Sequence, residues 1–173
     1  TNGGVAMSIR EVNGDVIAVA RTVSAEAGCE VLLPHVCNNV GVMGAGVALH
    51  LATTFSGVDT EYKQLCHKHR GQVLGRTVVA HVKPHLFVMN MIAQEGFAKI
   101  DGMPPLRYSA LVHCMEDVFN LANKHSETGV KTAIVCPRFG AGLAGGNWSV
   151  IRQLIVELWA SKGVAVVITT YKE

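Results

Sequence analysis

Two glycine-rich stretches hold the residues best suited to chemistry in this chain of 173 residues. The first is Cys37-Asn38-Asn39-Val40-Gly41-Val42-Met43-Gly44-Ala45-Gly46-Val47, and the second is Pro137-Arg138-Phe139-Gly140-Ala141-Gly142-Leu143-Ala144-Gly145-Gly146-Asn147. Each follows an apolar run of strand length and precedes a helical pattern. Glycine lets the backbone approach a ligand closely and reach φ > 0. A helix starting at such a loop adds unpaired N–H groups and the positive end of its dipole. The pair therefore reads as an anion site that needs no charged side chain. Its amides come from Gly44, Ala45, Gly46 and Val47 on one side and from Gly140, Ala141, Gly142, Leu143 and Ala144 on the other. For either loop alone, a tight turn without a ligand explains the glycines equally well. Two loops in the same strand-to-helix context weigh against that.

Other residues invite chemistry less directly. Gly140, Gly142 and Gly145 match G-x-G-x-x-G, but a dinucleotide fingerprint opens the first βαβ unit and has an acidic residue about 20 positions on, at a strand end. Here one helix and one strand remain, and Glu157 falls within the helix. An NAD-dependent oxidoreductase is thus the weaker alternative. No G-x-x-x-x-G-K-[ST] is present. His35 ends the second apolar run and is either a general acid–base group or a buried, hydrogen-bonded core histidine. Cys66-His67-Lys68-His69 suggests metal ligation, but consecutive helical residues point in different directions and make a poor tetrahedral set. Neither a metal nor a cofactor is expected.

The elements that must position these loops alternate between strand and helix. Strands are expected over Ser8 to Val12, Glu30 to Val36, Thr77 to Val82, Leu86 to Ile92, Thr132 to Cys136 and Ala165 to Thr170. Helices are expected over Gly44 to Thr54, Val58 to His69, Pro105 to His125 and Trp148 to Ser161. Pro105 would sit in the first turn of the long helix. Leu111, Met115, Val118 and Ala122 would form its buried stripe. Asn147 would cap the last helix, and Gly163 would stop it. Continuous apolar strands fit a sheet covered on both faces. The fold class is α/β: a three-layer α/β/α sandwich with a mixed, mostly parallel sheet of about six strands. Residues 1–7 read as a short flexible lead-in and 8–173 as a single domain.

Composition narrows the function classes. Charged residues make up 16%, against about 25% in an average domain. A hydrophobic content of 49% excludes disorder, and a net charge of +2 leaves no broad electrostatic footprint for a polyanion. No run approaches the roughly 18 apolar residues of a membrane helix, so no membrane partner is expected. The five cysteines are scattered, which fits reduced thiols and a cytoplasmic location.

With these pieces in order, the chain resembles the macro domain, the ADP-ribose-binding module, from Ser8 to Tyr171. Asn13-Gly14-Asp15-Val16 is similar to the family's early Gly-Asp-Ile element, and the two glycine loops are similar to those that hold the distal ribose and the diphosphate. The resemblance implies that Asp15, with Val16 beside it, reads the adenine amino group; the plainer reading is an Asp stabilising the Asn13-Gly14 turn. Tyr171 would flank adenine, Asn38 and Asn39 would hold the distal ribose, and the amides named above would hold the diphosphate. The Val-Met-Gly-x-Gly loop is nearest to the branch with ADP-ribosyl glycohydrolases, DNA de-ADP-ribosylating antitoxins and ADP-ribose 1″-phosphate phosphatases. Where antitoxins carry a loop lysine this chain has Ala45, and the glycohydrolase lysine and aspartate match Gln94 and Ala144. In phosphatase-like members a histidine matches His35. The resemblance thus implies a binder of ADP-ribose or a related nucleotide; if it is a catalyst, His35 and Asn39 are its catalytic candidates, with phosphate removal assisted by His35 or by a substrate-positioned water rather than by a lysine. The alternative is a non-catalytic reader of ADP-ribosylated protein or nucleic acid.

Overall fold

Six strands form one sheet in the order β1-β6-β5-β2-β4-β3. The computed structural model describes residues 7–26 and 28–171; the first six residues of the expected lead-in lie outside them. The strands are β1 (Ile9–Asn13), β2 (Cys29–Asn38), β3 (Thr77–Lys83), β4 (Leu86–Gln94), β5 (Lys131–Cys136) and β6 (Ala165–Thr170). β1, β6, β5, β2 and β4 run parallel, and β3 returns antiparallel beside β4. This is the expected mixed sheet.

Alternation along the strands separates two cores. On β2, Leu32 enters one core while Val31 and Leu33 enter the other; on β5, Ile134 and Val135 divide likewise. Helices α4 (Tyr108–Glu127) and α5 (Trp148–Leu158) cover the first face, and α1 (Val16–Ser24), α2 (Gly46–Thr54) and α3 (Thr60–Lys68) cover the second. The stripe Leu111, Met115, Val118 and Ala122 is buried as its spacing predicts. No described helix is long and apolar enough to cross a membrane.

Three departures from the sequence reading have physical causes. Helix α1 is absent from that reading. Its β-branched residues lower helix propensity, but Asp15 caps it and Val16, Ile17, Ala20 and Val23 bury one face. The long helix begins at Tyr108 rather than Pro105. Before it, Leu106 N–H donates to Ala144 O at 3.0 Å and Arg107 N–H to Ala93 O at 2.8 Å, so tertiary bonds hold this stretch extended. The last helix stops at Leu158 because Trp159 turns into the core, where its Nε1–H donates to Met115 O at 2.8 Å. A 3-10 turn over Ala160–Lys162 follows, ending at Gly163 with φ 89°.

Candidate functional site

Because five strands are parallel, their carboxyl ends share one edge of the sheet, where ligands bind in open α/β folds. The strand order spreads the segments along that edge. Asp15 and Tyr171 follow the outer pair β1 and β6. The two glycine loops follow the adjacent central strands β5 and β2, and Gln94 ends β4 beside them. A cleft of about 510 Å³ lies between the loops. It is lined by Asn38 and Gly44 to Val47 from the first loop and by Gly140, Gly142, Leu143 and Ala144 from the second. Ala141, Asn39, Asp15, Val16 and Tyr171 are not among its lining residues.

The first loop is tied down by one side chain. Asn38 Oδ1 accepts from Val40 N–H at 3.0 Å and Gly41 N–H at 3.1 Å, while its Nδ2 donates to Val42 O at 2.7 Å. The Tyr62 hydroxyl, buried under the loop, donates to the same asparagine. Asn38 is thus the loop's internal anchor. The loop delivers the chain into α2, whose N-cap position is Ala45, with φ −155° and no side-chain cap bond. No acidic residue occupies the first turn of α2. Its first amides are left for solvent or an anion.

The second loop closes on itself. Gly146 N–H donates to Gly140 O at 2.8 Å, and Gly145 N–H donates to Gly142 O at 3.0 Å. A Cβ on Gly146 would lie 2.4 Å from Leu106 Cδ2, and one on Gly145, at φ 74°, would lie 2.9 Å from Pro104 Cβ. Gly142 differs, since a Cβ there meets nothing within 4 Å. Helix α5 is capped: Asn147 Oδ1 accepts from Ser149 N–H at 2.9 Å and Val150 N–H at 3.4 Å. The start of α2 is therefore open, whereas that of α5 carries the Asn147 cap expected from the sequence.

His35 is among the residues lining the cleft, yet it is only 1% exposed. Asn90 Nδ2 donates to Val58 O, which leaves Asn90 Oδ1 to accept from His35 Nε2–H at 2.6 Å. Burial lowers its pKa from 6.5 to about 4. At pH 7 this imidazole is neutral and its Nε2–H is already bonded. Beside it, burial pushes the Cys37 thiol far up.

Asn39 is placed by the same strand end but points elsewhere. Its Oδ1 accepts from Gly96 N–H at 3.0 Å. Asp15 caps α1 through Ala18 N–H at 2.9 Å and pairs with His50 Nε2 of α2 at 2.7 Å. Tyr171 is 72% exposed beside it, and Gly14 N–H donates to Thr170 O, joining the two strand ends. The sequence reading missed Phe97, which lines the cleft from the segment after β4. Its signal was faint: an aromatic directly after a glycine in a connecting loop. Cys66 is buried while His67 is exposed, so the Cys-His-Lys-His run does not converge. Among the described residues no group of His, Cys, Asp and Glu is arranged to hold a metal ion.

No family model matches the chain. A solved structure of a protein of unknown function from Bacteroides thetaiotaomicron is similar at TM-score 0.83 and 31% identity, over 95% of this chain and 98% of that one. A macrodomain protein from Streptomyces coelicolor is similar at TM-score 0.75 and 26% identity, over 95% of this chain and all of that one. The chain is a macro domain. The curated ADP-ribose 1″-phosphate phosphatase of Candida albicans is 26% identical to this macro domain over 147 residues, covering 81% of this chain and 86% of that protein.

Proposed function

We propose that this macro domain binds ADP-ribose along the cleft and removes the phosphate of ADP-ribose 1″-phosphate. The observation that carries the reading is the uncapped start of α2 facing the open Gly142 across one cleft. Amides of Gly44 to Val47, of Gly140 and of Gly142 to Ala144 hold the diphosphate, with Ala141 behind the cleft wall. Asp15 and Tyr171 frame adenine at the β1 and β6 end, with Val16 beside them. Asn38 shapes the loop, and the distal ribose extends toward β4. A charge-assisted amide bond contributes about 1.5–3 kcal/mol. After association costs, a net near −8 kcal/mol, about micromolar affinity, is reasonable for such a site.

The lining residues include no lysine and no carboxylate, and Arg138 is their one permanent cation. The hydrolytic step therefore rests on substrate and water. A water oxygen attacks phosphorus, the bond from phosphorus to the 1″-oxygen breaks, and a water proton ends on that oxygen. Amide donors stabilise the developing charge. That same lining favours a second reading, in which the protein is a reader that docks ADP-ribosylated protein or nucleic acid without turnover. The five buried free cysteines support a reducing compartment for either role.

Calorimetric titration with ADP-ribose, together with phosphate release from ADP-ribose 1″-phosphate, tests the proposal. Binding with release supports the phosphatase. Binding without release from this ester or turnover of an ADP-ribosylated target leaves the reader. Gly142→Glu places a carboxylate in the anion position without a steric clash, so it abolishes binding at unchanged melting temperature. Wild-type affinity in both Gly142→Glu and Asp15→Ala would sink the site.

A further inference from the structure

Phe97 is 59% exposed, unusual for a phenyl ring that nothing in the chain requires at the surface. It stands on the cleft wall with Val42 and Leu143, which are 46% and 74% exposed. Three apolar side chains from three segments thus meet solvent around one cavity. An apolar rim of this kind marks a ligand-binding surface.

The segment carrying Phe97 is held by a clamp. Asn39 Oδ1 accepts from Gly96 N–H at 3.0 Å, and Gln94 Nε2 donates to Gly96 O at 2.8 Å. Both polar groups of the Gly96 backbone are engaged, and Gly96 takes φ 63°, a left-handed turn natural to glycine. The clamp aims the next residue, Phe97, at the cleft. The side-chain oxygen of Asn39 is committed to this bond rather than to the cavity, which Asn39 does not line.

Position along the sheet edge assigns the end of the ligand. Phe97 follows β4, on the far side of both glycine loops from Asp15 and Tyr171. Resting on the ADP-ribose reading above, we propose that Phe97 is the apolar wall for the distal ribose and its 1″ substituent. Asn39 is then a positioning residue that acts through Gly96, without touching the ligand. An apolar ring suits the C–H face of a sugar and leaves the hydroxyl edge and the phosphate to the loop amides.

A double-mutant cycle with two ligands tests this. ADP-ribose and AMP are titrated into wild type, Phe97→Ala, Asn39→Ala and the double variant, with melting temperatures recorded for each. Phe97→Ala should weaken ADP-ribose about tenfold, as loss of a stacking ring does, and leave AMP unchanged. Asn39→Ala should weaken ADP-ribose by a similar or smaller factor, with the double variant no worse than Phe97→Ala. Phe97→Trp supplies a signature that a purely structural role would not move: its emission should shift with ADP-ribose and not with AMP, and adding Asn39→Ala should diminish the shift. Multiplying effects would show that Asn39 touches the ligand and would overturn its positioning role. An equal loss for AMP, or wild-type ADP-ribose affinity in Phe97→Ala, would overturn the wall while leaving nucleotide binding intact. A wild-type protein that binds neither ligand overturns the nucleotide reading and this inference with it.

Discussion

The loop after β2 runs into a helix with no cap, whereas the loop after β5 runs into one that Asn147 caps. Their interiors contrast as well. Side chains organise the first loop, with Asn38 gathering backbone amides and Tyr62 bracing Asn38 from below. Backbone bonds and the absence of Cβ atoms organise the second, with Gly140, Gly145 and Gly146 packed against Leu106, Pro104 and Ile151. Similar composition thus yields two devices. One exposes a helix end, and the other builds a rigid turn whose open position, Gly142, faces the cleft. Glycine content reports the space around a backbone, not the use of the space.

The sharpest break of this contrast is Gly146→Ala. Its Cβ would overlap both Leu106 Cδ2 and Gly140 O, the latter at 2.6 Å, so denaturation should show a loss of about 3 kcal/mol. The same change at Gly142 should leave stability unaltered, because that position is open.

Acid should separate the strands beneath the loops by a comparable amount. His35 on β2 has a folded-state pKa near 4, below its ordinary 6.5. The unfolded chain therefore binds the proton first, and stability falls as pH drops from about 6.5 toward 4. The full difference is about 3 kcal/mol. Denaturant titrations across that window should slope for wild type and flatten for His35→Gln. β5 ends on Cys136, whose thiol burial pushes up, so the second loop has no titration below pH 7 at its base.

Smaller effects should have opposite signs at the two helix starts. Ala45→Asp supplies the cap α2 lacks, adding about 1 kcal/mol of stability, while its carboxylate occupies the anion position and weakens ADP-ribose. Asn147→Ala removes the cap of α5 and lowers stability by about 1 kcal/mol, with ADP-ribose affinity unchanged. Melting temperature and calorimetric affinity on both variants check the pair. Parallel changes in stability and affinity would refute the division of labour.

Much of this was legible in the residues. The strand runs, the stripe on α4, the Asn147 cap and the strand-to-helix context of both loops are local patterns that burial enforces. Helix α1 was obscured because Val16, Ile17, Val19 and Val23 look like strand residues until Asp15 is recognised as an N-cap. The start of α4 was misplaced because the bonds at Leu106 and Arg107 join segments distant in sequence.

Sequence by itself determined the fold class, the sheet, the two loops and the scarcity of charge in them, since each follows from residue types at short spacing. Only the tertiary structure decided what the candidate side chains do. His35 is neutral because the sheet buries it against Asn90, Asn39 is spent on Gly96, and Phe97 enters the cleft because β4 lies next to β2. These outcomes depend on which distant backbone groups arrive beside a side chain, and no local pattern encodes that arrival.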